Sequence, residues 1–427
     1  MQVQEMPQAH TLSRSALQAS AGGKTDRSEL PAEASPPTCR APLALAVCTL
    51  IALGPARASD TPWLDGLRAI HPYAGVALTS DSNVLRNPDG LGDESDEILS
   101  LEAGLDTELK LSRQRLLIDG RVVHNDYDRL DALDHTAGDA RLVWKWAVGR
   151  LWEGDLGYRY EHRLRDLAND LIPAKDMLDR HRVFGSANRW LTTRWRLGGE
   201  IDWTRVSASE TPSLDKAING YGLRLDYISK ADNRVGLRAR YATTAFDSVS
   251  ERDFYDLEVG PTLDWKLTGK TRIEATAGYK ARTHDSLSER DFDGFVGGLA
   301  ATWRITGKTS IKAALWRDIS NLDDEVADYA IVDGVRVEPA WQVMPKTRIR
   351  ALASYERRDF RGIGDGQLIA GLEDREDELR TLELGIEWRP RQRIAVNLSV
   401  GTQSRDSNRA LREYDTNYAR IGFSIGL

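Results

Sequence analysis

Cysteine is almost absent from this 427-residue chain, and the two it has, Cys39 and Cys48, both fall within the first fifty residues. No disulfide framework or cysteine-ligated metal therefore organises the rest. Nor is there an apolar run of about eighteen residues, which excludes a membrane-spanning helix in the main body of the chain. Histidine is scarce as well. The six beyond residue 58 (His71, His124, His135, His162, His181 and His284) are spread one to a segment, without metal-ligand spacing or a Ser–His pairing. His124 falls on an outward-alternating position beside Asn125, where an interfacial histidine is commoner than a catalytic one. No phosphate loop, zinc pattern or dinucleotide fingerprint occurs. An enzyme is not expected, nor a cofactor or metal. The net charge of −7 argues against nucleic acid as a partner.

The first 58 residues read as an N-terminal extension and signal peptide. A short apolar run from Ala41 to Leu53 follows Arg40 and precedes Gly54-Pro55-Ala56-Arg57-Ala58, so cleavage is expected after Ala58. Val47 stands where a lipoprotein signal needs a small residue, which disfavours Cys48 as a lipid acceptor. Removing residues 1–58 takes away five basic and four acidic residues, leaving 53 against 61. The mature chain is thus cysteine-free and mildly acidic.

What the remainder has in abundance is alternation. Leu257, Val259, Pro261, Leu263, Trp265 and Leu267 occupy every second position before Thr268-Gly269-Lys270. Ile273, Ala275, Ala277 and Tyr279 resume the pattern, with Glu258, Asp264, Lys266, Arg272, Glu274 and Lys280 on the other face. A period of two is the signature of strands. The unit returns 38 residues later with Phe295, Leu299, Trp303 and Thr306-Gly307-Lys308, and again with Trp341 before Met344-Pro345-Lys346. The repeat is a hairpin.

These strands exceed the five or six residues usual in soluble sheets. About ten residues is the length a tilted strand needs to cross a bilayer. Turns are short after the tryptophans, whereas Ala281 to Asp293, Arg317 to Asp328 and Glu356 to Asp377 make long polar loops at the other end. Charged residues make up 29% of the chain, which a barrel tolerates because only half of each strand meets lipid. The opening strand is expected over Tyr73 to Leu85, and hairpins turn near Gly149-Arg150, Thr192-Thr193, Lys230 to Asn233 and Arg389-Pro390-Arg391. The closing strand ends Ile421, Phe423, Ile425, Leu427. The expected fold is all-β: one antiparallel transmembrane β-barrel of about 18 strands over residues 59–427, in a Gram-negative outer membrane.

Two sets of residues are candidates for function. Trp265, Trp303, Trp341 and Trp388 sit on the apolar face just before short turns, as a membrane-interface girdle does. Arg115, Asp119, Arg121, Arg194, Arg196, Arg238, Arg240, Arg272, Glu274, Arg348 and Arg350 are expected to line the lumen. Two readings of that wall stay open: a solvated surface of charges paired across strands, or arginine forks guiding an acidic polymer. The signs are too evenly mixed to assign anion selectivity.

The Trp-x-Leu/Ile-Thr-Gly-Lys turns, the Arg252-Asp253-Phe254 and Arg290-Asp291-Phe292 strand starts, and the opening Pro72-Tyr73-Ala74-Gly75-Val76 with Asp81-Ser82-Asn83-Val84-Leu85-Arg86 form an ordered set. In that order the chain, from about His71 to Leu427, resembles EpsL, a β-barrel porin family encoded in bacterial exopolysaccharide operons. The resemblance implies a polar conduit for exopolysaccharide across the outer membrane, with outer-membrane lipid, the polymer and periplasmic polysaccharide-export proteins as partners. It carries no catalytic residues. A general diffusion porin for small solutes and a structural or adhesive barrel that retains polymer at the surface remain the alternatives.

Overall fold

The computed structural model describes residues 70–88, 94–166, 168, 175–286, 288–320, 329–361, 375–409 and 412–427. The leader and its expected cleavage site lie outside the described residues, as do 321–328 and 362–374 of the loops expected over Arg317 to Asp328 and Glu356 to Asp377. Strands follow one another along the chain. They are β1 (Ile70–Asp81), β2 (Asp96–Leu111), β3 (Gln114–Tyr127), β4 (His135–Val148), β5 (Trp152–Leu164) and β6 (Met177–Trp190). Next come β7 (Trp195–Ala208), β8 (Lys216–Ile228), β9 (Arg234–Phe246), β10 (Phe254–Lys266), β11 (Thr271–His284) and β12 (Phe292–Trp303). The last six are β13 (Thr309–Ser320), β14 (Tyr329–Met344), β15 (Thr347–Arg361), β16 (Glu376–Arg391), β17 (Ile394–Ser407) and β18 (Tyr414–Gly426).

Each strand pairs antiparallel with the next, and β18 pairs with β1 from Tyr73↔Gly426 to Asp81↔Tyr418. The 18-stranded sheet is therefore closed. Closure matters physically, since an open edge in hydrocarbon leaves backbone N–H and C=O groups unpaired at several kcal/mol each.

Register partners share a face, and the faces separate by chemistry. Leu257 pairs with Tyr241 and Val259 with Tyr279, whereas Glu258 between them meets Arg240 and Lys280. The apolar set forms the outer wall, where Leu223, Leu237 and Phe295 are 66%, 60% and 77% exposed. Such exposure opposes folding in water and suits lipid. The protein has its apolar band outside and its charges inside.

The 38-residue spacing has a structural origin. β10 has 13 residues and β11 has 14, with a four-residue turn between them and a seven-residue loop before β12. That loop is a short 3-10 turn, Ser288–Arg290, followed by Asp291, whose carboxylate accepts the backbone N–H of His284, the last residue of β11, at 2.7 Å. The same device recurs. Asp253 takes Phe246 N–H at 2.7 Å, Asp215 takes Ala208 N–H at 2.8 Å, and Asp134 takes Tyr127 N–H at 2.9 Å. In each loop the aspartate stands seven residues beyond the strand end and immediately before the next strand. The Arg-Asp-Phe strand starts are two of these latches. Each ends one strand, sets the turn and starts the next.

Several boundaries differ from the sequence reading. The opening strand leaves the wall at Asp81 rather than Leu85, and Val84 and Leu85 are fully buried in the following loop. β16 continues through Pro390 to Arg391 with a register shift after Trp388, because a bulge accommodates a proline that donates no ladder bond. The loop expected over Ala281 to Asp293 shortens to 285–291, since the latch carries regular pairing up to His284.

Candidate functional site: the lumen wall and its mouth

Ten of the eleven residues expected in the lumen lie on the inner face. Arg115, Asp119 and Arg121 alternate on β3 with outward Leu116, Ile118 and Val122. Arg196 on β7, Arg238 and Arg240 on β9, Arg272 and Glu274 on β11, and Arg348 and Arg350 on β15 alternate likewise with apolar outward neighbours. Arg194 does not. It sits in the turn before β7, where alternation no longer fixes a face, and its guanidinium donates to Tyr227 Oη at 3.0 Å. Tyr227 lies edge-on to Trp195, 5.3 Å away between ring centroids, on the outer wall. Arg194 belongs to the rim, not the lumen.

Most inner charges pair across strands. Arg115 reaches Glu108 (3.3 Å), Arg121 Asp139 (3.1 Å), Arg238 Glu200 (3.0 Å) and Arg240 Asp202 (2.8 Å). Arg272 bridges Asp264 at 2.7 Å and Glu274 at 2.9 Å, and Arg196 bridges Asp226 at 2.8 Å and Glu153 at 2.9 Å. Pairing of this kind holds long side chains against the wall. Arg348 and Arg350 make no ion pair among the described residues.

The tryptophans mark the short-turn rim. Trp265, Trp303, Trp341 and Trp388 all lie on the outer wall, each between a third and a half exposed or slightly more. A second group of outward aromatic residues, missed in the sequence, lies toward the other end on β9 to β12. Tyr255 is ten residues from Trp265 on the same face, about 34 Å of strand, which tilt reduces to nearly the ~25 Å height of a barrel's apolar band. Tyr241 and Tyr255 are 5.8 Å apart between centroids, and Tyr279 and Phe295 5.4 Å. For Trp265 the signal was present in the sequence as Tyr255, ten residues earlier on the same face.

Chain from the long-loop end closes over part of the mouth. Val84 and Leu85, after β1, pack with Ile98, Tyr127, Leu133 and Leu164 into a buried apolar cluster. Arg86 anchors this loop at the closure seam, its guanidinium bidentate on Asp81 (3.0 and 2.9 Å) and bonded to Thr416 Oγ1 of β18 (3.2 Å). Burial disfavours the Arg86 charge, yet the Asp81 carboxylate more than offsets this and holds the guanidinium above its ordinary range. Asn83 adds a bond to the Asp415 carbonyl at 3.2 Å. These are residues of the Asp81-to-Arg86 motif. It is a staple that ties the first loop to the last strand.

The loop between β5 and β6 reaches farther. Ala168 on it accepts a hydrogen bond from the guanidinium of Arg405 on β17, six strands away around the wall. Arg405 is buried, lies over the Tyr414 ring at 4.7 Å, and donates to the Arg412 carbonyl at 2.8 Å. Arg165 secures the base of this loop through Asp176 at 2.9 Å. Described residues of both loops thus contact the inner wall at the long-loop end, Ala168 at Arg405 and Arg86 at Asp81 and Thr416. Among the described residues no group of three or more metal-ligating side chains forms.

The model of the family described as Putative beta-barrel porin 2 matches residues 212–425. No curated protein matches the sequence. Among solved structures, the outer membrane protein OpdK from Pseudomonas aeruginosa is similar at 10% identity and a TM-score of 0.48, covering 84% of this chain and 100% of that one. OccK2 (OpdF) from the same organism gives 12% and 0.48, over 84% and 98%. A BenF-like porin from Pseudomonas fluorescens Pf-5 gives 10% and 0.47, over 84% and 98%. At these identities the likeness is one of fold.

Proposed function

Because the chain belongs to this β-barrel porin family, we propose that it is a passive diffusion porin for small hydrophilic solutes in the Gram-negative outer membrane. The observation that carries this is a closed 18-strand wall with an apolar outer face and an inner face that bears most of the strands' charges. Barrels of 16–18 strands leave an aqueous channel. Ion pairs such as Arg240–Asp202 and Arg272–Asp264 keep side chains flat against the wall. Loops fastened by Arg86 and Arg405 narrow the outer mouth, which favours small solutes over a polymer. Flow is driven by the solute gradient alone.

The test is single-channel recording of the purified protein in planar bilayers. Stepwise conductance that does not respond to added acidic or neutral polysaccharide is expected. Conductance blocked by polymer would replace this reading with the exopolysaccharide conduit. A folded barrel that never conducts would overturn both and leave a role in retaining polymer at the surface.

A further inference from the structure

In one stretch of the lumen wall three arginines are cross-strand neighbours. Arg141 on β4 is the register partner of Arg159 on β5, and Arg159 is the partner of Arg182 on β6. Three guanidinium side chains therefore leave the inner face from neighbouring strands, at strand spacings of about 4.8 Å. Like charges placed directly opposite are destabilising in a sheet. In other cross-strand pairs of cations on this wall at least one member reaches a carboxylate: Arg224 has Asp226 at 3.2 Å and its neighbour Arg238 has Glu200 at 3.0 Å, and Arg115, beside Lys145, has Glu108 at 3.3 Å. Among the described residues, the side chains of Arg141 and Arg159 have no hydrogen bond or ion pair, and the only ion pair of Arg182 is a long one of 3.9 Å to Asp202.

The surroundings do not neutralise the row. On the long-loop side, the next inner positions are Arg121, Asp139, Glu161 and Arg180. Asp139 is held by Arg121 at 3.1 Å and Glu161 by Arg163 at 3.3 Å. On the short-turn side stand Leu117, Val143, Gly157 and Phe184, which carry no charge. Asp119 on β3 is the cross-strand neighbour of Arg141 and forms no ion pair with it. Phe184 covers Gly157: a Cβ there would stand 2.3 Å from the ring. Arg182 sits 5.4 Å from the same ring centroid. The result is a cationic row above an apolar floor, half-buried on a wall that solutes pass.

We propose that the Arg141–Arg159–Arg182 row is a binding site for small oxyanion-bearing solutes, carboxylates or phosphates, and biases the channel toward them. The inference rests on the diffusion-porin reading and names its substrate class. Guanidinium forks match the two oxygens of a carboxylate or phosphate, and adjacent forks hold one anion without moving. A row that repels itself when empty is relieved when an anion enters. Weak binding at one wall raises the local concentration of the solute while still releasing it.

The experiment measures chloride current through the wild-type channel as succinate or inorganic phosphate is titrated in, and repeats it with R141Q/R159Q. A second double variant, K312Q/R420Q, removes two inner-face charges on other strands. Wild type is expected to show saturable block. R141Q/R159Q should raise the half-saturating concentration about tenfold, as loss of charge-assisted bonds does, and shift the reversal potential in a salt gradient toward cations. K312Q/R420Q should leave the half-saturating concentration within about twofold, the range of a diffuse charge effect. Arg141→Gln alone should fall between, and removing self-repelling charges leaves folding intact. Block by succinate alone or phosphate alone identifies the solute class within the shared chemistry. Equal effects of the two double variants, or no saturable block, would overturn this site while the conducting porin stands. A silent channel would instead overturn the porin reading beneath it.

Discussion

Asp226→Asn isolates what the inner ion pairs do for the barrel. The Asp226 side chain is 1% exposed and receives Arg196 Nη2 at 2.8 Å, with Arg224 Nε at 3.2 Å. Arg196 is itself only 3% exposed, and its second contact, Glu153, is open to water. Asparagine keeps the shape and removes the charge, so two guanidinium groups face each other with no carboxylate between them. Breaking a buried pair from one side costs about 3–5 kcal/mol. A surface pair would lose at most about 1 kcal/mol, so the two cases are well separated. The double replacement R196M/D226L removes both charges and should recover most of the loss. Guanidinium unfolding of the barrel in vesicles, followed by tryptophan emission, reads all three proteins. A D226N midpoint indistinguishable from wild type would mean water reaches the pair, and the reasoning would fail.

Three further outcomes follow from other parts of the wall. Asp253→Ala removes the acceptor of Phe246 N–H and should cost about 1 kcal/mol, with hydrogen exchange speeding at Phe246 and not at the far end of β9. Leu223→Arg, on the lipid face, should cost about 2–4 kcal/mol in the unfolding assay; a loss near zero would put Leu223 in water. Arg405→Ala frees the loop held through Ala168 and should raise open-channel current noise, whereas unchanged recordings would show that this tether does not narrow the mouth.

Much of this was legible in the residues. Covalent geometry sends successive strand side chains to opposite faces, so period-two alternation assigned Arg121, Arg240 and Arg350 inward and Trp265 outward. Turn residues gave the eighteen strands. Neighbours within one hairpin follow as well: Arg115–Glu108 and Arg272–Asp264 are seven and eight residues apart across a short turn. Arg194 was misplaced because a turn has no alternating face. The latch aspartates were visible as a recurring motif, though their bond to a strand-end N–H was not.

The sequence by itself determined the strand number, the two faces and the hairpin register, since these depend on residues within a few positions of one another. Only the tertiary structure decided what closure brings together. Thr416 meets Asp81 across the seam, and Arg405 on β17 meets Ala168 of the β5–β6 loop. Such contacts depend on the register summed around the whole wall and on loops returning over it, and no local pattern along the chain encodes that sum.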